Sequence, residues 1–208
     1  MYLGLCTRPD ILFTVNKASR KSKNPSYEGW FNLLKVFRYL KGNKNYGIKF
    51  NKDNLKRAYV DSDYGGDEIT RRSTTGIIIL IGTGPVGWYS KLQHIVSSST
   101  AESEYYALGT CANQCVWYEN ILNELGENCK CININIDNKA AIYISENETI
   151  NQNTRHIDLK YHLVRDYIKG NKIRFHYIKS QDNLVDGFTK YLNSNAMKKF
   201  RDLIMYEF

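Results

Sequence analysis

Four carboxylates stand where apolar side chains are expected: Asp61 in YVDSDYGG, Glu104 in ESEYYAL, Asp137 in INIDNKAA and Asp186 in NLVDGFTK. By parity Tyr59, Asp61 and Asp63 share one face of an extended run, which puts Asp61 near the middle of a strand. Ser99, three residues before Glu102, forms a capping-box pattern, so Glu102 has a structural task at a helix start. Glu104 has no such task. It heads the stripe Glu104, Leu108, Cys111, Cys115, Tyr118, Leu122, the face expected against a sheet. A carboxylate aimed at a core is costly unless it is paired or bound to a metal, although a frayed first turn would let Glu104 reach water. Asp137 closes a strand and would serve equally as a helix N-cap, and Asp186 lies on an apolar turn beside Leu184, Val185 and Phe188. Each carboxylate alone has an ordinary explanation. Four of them converging on one sheet are hard to explain that way.

The elements that must position them follow from periodicity. Residues 9–21 and 25–41 read as helices, the second started by Pro25-Ser26 with a stripe of Trp30, Leu33, Leu34, Phe37 and Leu40. A short strand is expected at 46–50, and the turn 51–54 separates this part from the rest. Strands are then expected at 55–64, 74–82, 87–93 and 94–99, a long helix at 100–125, a strand at 131–137 and a helix at 138–145. A helix at 156–170, a strand at 171–180 and a short helix with an interior glycine at 183–192 complete the pattern. The fold class is α/β, a mixed sheet covered by helices.

Composition sets the frame. With 208 residues, 42% hydrophobic and 24% charged, the chain is neither disordered nor fibrous, and it is long enough to bury a real core. No apolar stretch approaches the roughly 18 residues that cross a bilayer, and the opening MYLGLCTRPD lacks a signal-peptide layout, so an intracellular protein is expected. Five cysteines suit no disulfide framework. Cys111/Cys115 fall in a helical run and Cys129/Cys131 are spaced too closely for zinc, so buried small hydrophobes are expected. The charge of +8 is uneven: residues 1–56 carry 12 Lys and Arg against 3 Asp and Glu, and the remainder is nearly neutral. A basic arm of this kind fits a polyanion such as nucleic acid, or simply a solvated surface.

The strings YVDSDYGGDEITRRSTTG, GPVGWYSKLQHIVSSSTAESEYYAL, INIDNKAA, TRHIDLKYHLVRD and QDNLVDGFTK, in that order, resemble the ribonuclease H domain of copia-type retrotransposon Pol polyproteins. The leading LGLCTRPDILFTVNKASRKSKNP through FRYLKGNKNYGIKF resembles the reverse-transcriptase tail that precedes it. The resemblance implies a ribonuclease H-like fold, a mixed five-stranded sheet flanked by helices with a small helical N-terminal extension. It divides the chain into a reverse-transcriptase tail or connection segment (1–54), a ribonuclease H-like domain (55–192) and a C-terminal helical tail (193–208). It also implies metal-dependent hydrolysis of the RNA strand of an RNA·DNA hybrid during reverse transcription. The site acids would be Asp61, Glu104, Asp137 and Asp186.

Such hard oxygen ligands suit Mg²⁺ or Mn²⁺, with two ions about 3.5–4 Å apart. Asp61 would bridge the ions, Glu104 and Asp137 would bind the one nearer the leaving group, and Asp186 the one nearer the attacking water. Arg71, Arg72, Lys91, Gln93 and Asn138 lie close in sequence to the site-bearing elements and are candidates for nucleic-acid contacts, against the alternative that each is an ordinary exposed polar residue. His176, ten residues before Asp186, sits in a strand-like run rather than on the mobile loop where many ribonucleases H carry a histidine. His156 and His162 fall on different faces of a helix, which favours a structural role over metal binding. Expected partners are the hybrid and the remainder of a reverse transcriptase, with no membrane. The expected location is cytoplasmic, in a virus-like particle context, or nuclear. Rival readings are a non-catalytic relic or domesticated nucleic-acid-binding module, an integrase or resolvase of the same fold, and an accessory domain docking a polymerase through its N-terminal helices.

Overall fold

The computed structural model describes residues 1–53, 55–146 and 158–208, without the side chains of residues 144, 146 and 158–161. The N-terminal part contains α1 (Tyr2–Cys6), a 3₁₀ turn (Pro9–Ile11), α2 (Leu12–Ser19), α3 (Tyr27–Gly42) and the two-residue β1 (Tyr46–Gly47). Then come β2 (Lys56–Ser62), β3 (Thr74–Ile81), β4 (Gly84–Leu92), α4 (Thr100–Glu124), β5 (Ile132–Ile136), α5 (Lys139–Glu146), α6 (Asp158–Lys169) and β6 (Ile173–Tyr177). A 3₁₀ turn (Ser180–Asp182), α7 (Asp186–Thr189), α8 (Ser194–Ile204) and β7 (Tyr206–Glu207) close the chain.

The main sheet has five strands in the order β4-β3-β2-β5-β6, a mixed sheet as expected. β2, β3 and β4 form an antiparallel meander, whereas β2, β5 and β6 run parallel. In β3 the run of isoleucines and leucine is buried on both faces, which is why it reads as continuous rather than alternating. Ile77 and Ile79 join Ala58, Val60, Ile132, Ile134 and Ile136 beneath Leu108, Cys111 and Cys115 of α4. Ile78 and Leu80 face the opposite way, into a second core with Leu12, Val185, Phe188, Phe200 and Ile204. Residues from the first and last parts of the chain therefore cover one face of the sheet.

Several expected elements differ. The strand expected at 94–99 is absent; these residues lead into α4, because their serines bond locally rather than to a neighbouring strand. Ser97 Oγ donates to Gln93 Oε1 (3.4 Å) and Ser99 Oγ accepts from Glu102 N (3.2 Å). Glu102 Oε2 in turn accepts from Ser98 N at 2.6 Å, completing a reciprocal cap displaced by one residue. The helix expected at 183–192 shrinks to Asp186–Thr189. The strand expected at 46–50 shrinks to Tyr46–Gly47 and pairs with β7. On α3 the expected apolar stripe is not buried: Trp30 and Phe37 are 55% and 60% exposed, and Val36 is the residue of this helix that is buried. α3 is turned instead toward Arg8 and Asp10, a buried ion pair at 2.7 Å to which Tyr39 Oη donates (2.8 Å). The start of the helix expected at 156–170, including His156, lies outside the described residues.

Candidate active site

β2 and β5 are parallel neighbours, so their carboxyl ends emerge at the same edge of the sheet. Asp61 is the penultimate residue of β2 and Asp137 directly follows β5. α4 starts at Thr100, with Glu104 in its second turn and buried. One carboxylate oxygen from each of Asp61, Glu104 and Asp137 lies within 4.8 Å of the others, the grouping with metal-holding geometry among the described residues. The local sequence explains why Asp137 is available: Asn138 Oδ1 accepts from Ala141 N (3.0 Å), so Asn138 takes the N-cap of α5 and Asp137 does not.

Asp186 is not in the trio. It opens α7, and Lys190 Nζ contacts its Oδ1 at 2.9 Å. Its field nevertheless reaches Asp61. Burial pushes the Asp61 carboxyl up to about 6, with Asp137 and Asp186 adding to the rise while a hydrogen bond from Thr189 and the charge of Lys190 oppose it. Glu104 is pushed further, to about 9, by burial first and then by Asp61 and Asp137. For Lys190, burial disfavours the charge, but the bond to Asp186 and the fields of Asp186, Asp61 and Asp137 outweigh it and raise the pKa.

A divalent cation fits this donor set. Glu104 is 6% exposed and its Oε2 is buried with no hydrogen-bond donor among the described residues. A buried carboxylate oxygen left in that state costs several kcal/mol, which a bound cation would offset.

The remaining candidates are dispersed. Arg71 and Arg72 flank the end of the β2–β3 turn, Arg71 exposed with φ 55° and its N–H bonded to Asp67 O (2.8 Å). Lys91 is exposed on the edge strand β4, paired in register with Thr75. Gln93, expected at the nucleic-acid surface, is 2% exposed, and its Nε2 donates to Thr75 Oγ1 (3.1 Å) and Ser103 O (2.9 Å). Its amide is thereby committed to tying β3 to the start of α4. Asn138 is half-buried as the α5 cap. His176 is fixed in β6 with its Nε2 3.2 Å from Asn133 Oδ1, as its strand-like context suggested. His162 is exposed on α6. Cys111, Cys115 and Cys129 are buried, as expected of small hydrophobes, whereas Cys131 is only half-buried.

Sequence reasoning missed three polar neighbours of the acids. Asn183 Nδ2 donates to Val60 O (3.1 Å) and reaches Asp137 Oδ1 (3.4 Å), Thr189 Oγ1 donates to Asp61 Oδ2 (2.7 Å), and Lys190 meets Asp186. All three lie in the string QDNLVDGFTK, whose polar residues flanking Asp186 were the available signal.

No family model matches the chain. The fold is that of ribonuclease H: LC11-RNase H1, isolated from compost by a metagenomic approach, superposes with a TM-score of 0.50 over 70% of this chain and 97% of that one, at 15% identity. In sequence the chain is 33% identical over 205 residues, 98% of its length, to the retrovirus-related Pol polyprotein from transposon TNT 1-94 of Nicotiana tabacum. It is 34% identical over 197 residues, 93% of its length, to that from transposon RE2 of Arabidopsis thaliana. It spans 15% and 14% of those polyproteins. Over nearly its whole length the chain is thus similar to one segment of the Pol polyproteins of copia-type retrotransposons.

Proposed function

We propose that the chain is a metal-dependent ribonuclease H that cleaves the RNA strand of RNA·DNA hybrids, with Asp61, Glu104, Asp137 and Asp186 as its working acids. The observation that carries this reading is the convergence of Asp61, Glu104 and Asp137 on one point, with a buried Glu104 oxygen that no donor among the described residues satisfies. Asp61, Glu104 and Asp137 would hold Mg²⁺ or Mn²⁺, and Asp186 would complete the set once separated from Lys190. When bound, a pair of such ions supplies an activated water and charge stabilisation on the leaving oxygen. The protein's own contribution is to hold its carboxylates in place before substrate arrives, Asp61 through Thr189, Asp137 through Asn183 and Glu104 through the capped first turns of α4.

Arg71, Arg72 and Lys91 are exposed or half-exposed cations proposed to contact the hybrid, and the basic residues of 1–56 would add sequence-independent affinity that weakens with salt. Asn138 would reach the hybrid only through the amide atoms left free by its capping bond. Residues 1–54 are proposed as a connection to the polymerase, 55–192 as the nuclease domain and 193–208 as its C-terminal helical tail. Exposed Trp30 and Phe37 suit a contact with further chain of the polyprotein. The test is cleavage of matched RNA·DNA, RNA·RNA and DNA·DNA duplexes with Mg²⁺ and with chelator. Hybrid-only, Mg²⁺-dependent cleavage that D61N and E104Q lower by at least about a thousandfold is expected, the scale of losing a central catalytic group. Cleavage that survives both substitutions would overturn the reading.

A further inference from the structure

The turn that carries Asp186 also reaches two of the acids through Thr189 and Lys190. Thr189 is 1% exposed and donates its hydroxyl to Asp61 Oδ2 at 2.7 Å. Lys190 Nζ stands 2.9 Å from Asp186 Oδ1. Both contacts depend on how the segment sits on the sheet. Asp61, Gly76 and Ser90 are register partners in one row across β2, β3 and β4. At the centre of that row Gly76 has no side chain, and a Cβ there would stand 2.7 Å from Thr189 Cγ2 and 3.0 Å from Phe188 Cβ. At its far end Ser90 Oγ donates to Phe188 O at 2.6 Å. The row thus provides a bare seat, an anchor on one side and the acid on the other.

We propose that Thr189 and Lys190 are positioning residues for the acidic cluster: Thr189 orients Asp61, and Lys190 holds Asp186 as a built-in cation that an arriving divalent ion displaces. This rests on the reading of the acids as metal ligands. A donor on one oxygen fixes the rotation of the Asp61 carboxylate before the ion arrives, the role that outer hydrogen-bonding partners play at metal sites. A single ammonium among carboxylates offsets their mutual repulsion while no ion is present. Lys190 also has room to withdraw. Its side chain is 55% exposed and it lines a cavity of about 490 Å³ together with Phe13, Tyr39 and Tyr191.

The experiment is calorimetric titration of the full chain with Mn²⁺ at low ionic strength, comparing wild type with D61N, T189V, T189S, K190M and K190R. Melting in chelator is followed in parallel. D61N loses Mn²⁺ binding. T189V, near-isosteric with threonine, weakens it about tenfold, whereas T189S keeps the hydroxyl and binds like wild type. K190M tightens it roughly threefold, the scale of a half-exposed ion pair, and the gain fades at high salt, whereas K190R binds like wild type. Wild-type affinity in T189V removes the role given to Thr189, and wild-type affinity in K190M removes that given to Lys190, even while D61N fails to bind. Wild-type affinity in D61N overturns the ligand reading itself, and the positioning roles with it.

Discussion

At the scale of single residues, the acids are held in a state that either a proton or a metal cation relieves. Glu104 at about 9 and Asp61 at about 6 both lie above their ordinary values of 4.5 and 3.8. A carboxyl whose pKa is raised by folding takes up protons more readily in the native state. Its stabilising contribution is full below its ordinary value and is lost as pH rises through the raised one. The metal-free protein should therefore lose stability progressively between about pH 4 and pH 9. Mg²⁺, which binds the ionised acids, should raise the melting temperature more at pH 9 than at pH 5. An equal Mg²⁺ effect at both values would contradict this picture of the cluster. The convergence of Asp61, Glu104 and Asp137 was legible in the sequence, because strand parity and the assignment of the cap to Glu102 left Glu104 without another task. That Thr189 serves Asp61 was not legible. Its bond spans 128 positions, and nothing local marks a threonine as the donor to a distant carboxylate.

At the scale of elements, the β2–β3–β4 meander matters as the floor on which α7 rests. Gly76 is its critical point, since the would-be Cβ meets Thr189 and Phe188 in a packed core. Gly76→Ala should cost about 1–3 kcal/mol by overpacking, measured by urea unfolding, and should weaken Mn²⁺ binding by shifting Thr189 off Asp61. Loss of stability with unchanged Mn²⁺ affinity would separate the seat from the site. The strands and the long helix were readable because their periods of two and of 3.6 are each sustained over several residues. The segment 94–99 was misread because HIVSSS has strand-like composition, while its serines bond to Gln93 and the helix start. The shortness of α7 was equally hidden. Gly187 lies close against Phe200, a contact that fixes the turn from outside it.

At the scale of the whole molecule, the first and last segments of the chain bear on the site through the second core. Phe200 of α8 is 5% exposed and meets Phe188 edge to face at 5.2 Å, directly before Thr189. Truncation there leaves a cavity beneath the site-bearing turn, so Phe200→Ala should destabilise by about 3–5 kcal/mol in denaturant unfolding. A cost below about 1 kcal/mol would show that α8 does not support the turn. The sequence marked 193–208 as helical but carried no sign of this role, because packing across the sheet depends on tertiary placement rather than on local pattern. What the acids bind decides what the molecule does. Anomalous diffraction from crystals of the chain with an RNA·DNA hybrid and Mn²⁺ tests it most directly. The expected result is Mn²⁺ density coordinated by Asp61, Glu104, Asp137 and Asp186 beside an RNA phosphate. Mn²⁺ bound elsewhere, with these carboxylates bare against the hybrid, would contradict it.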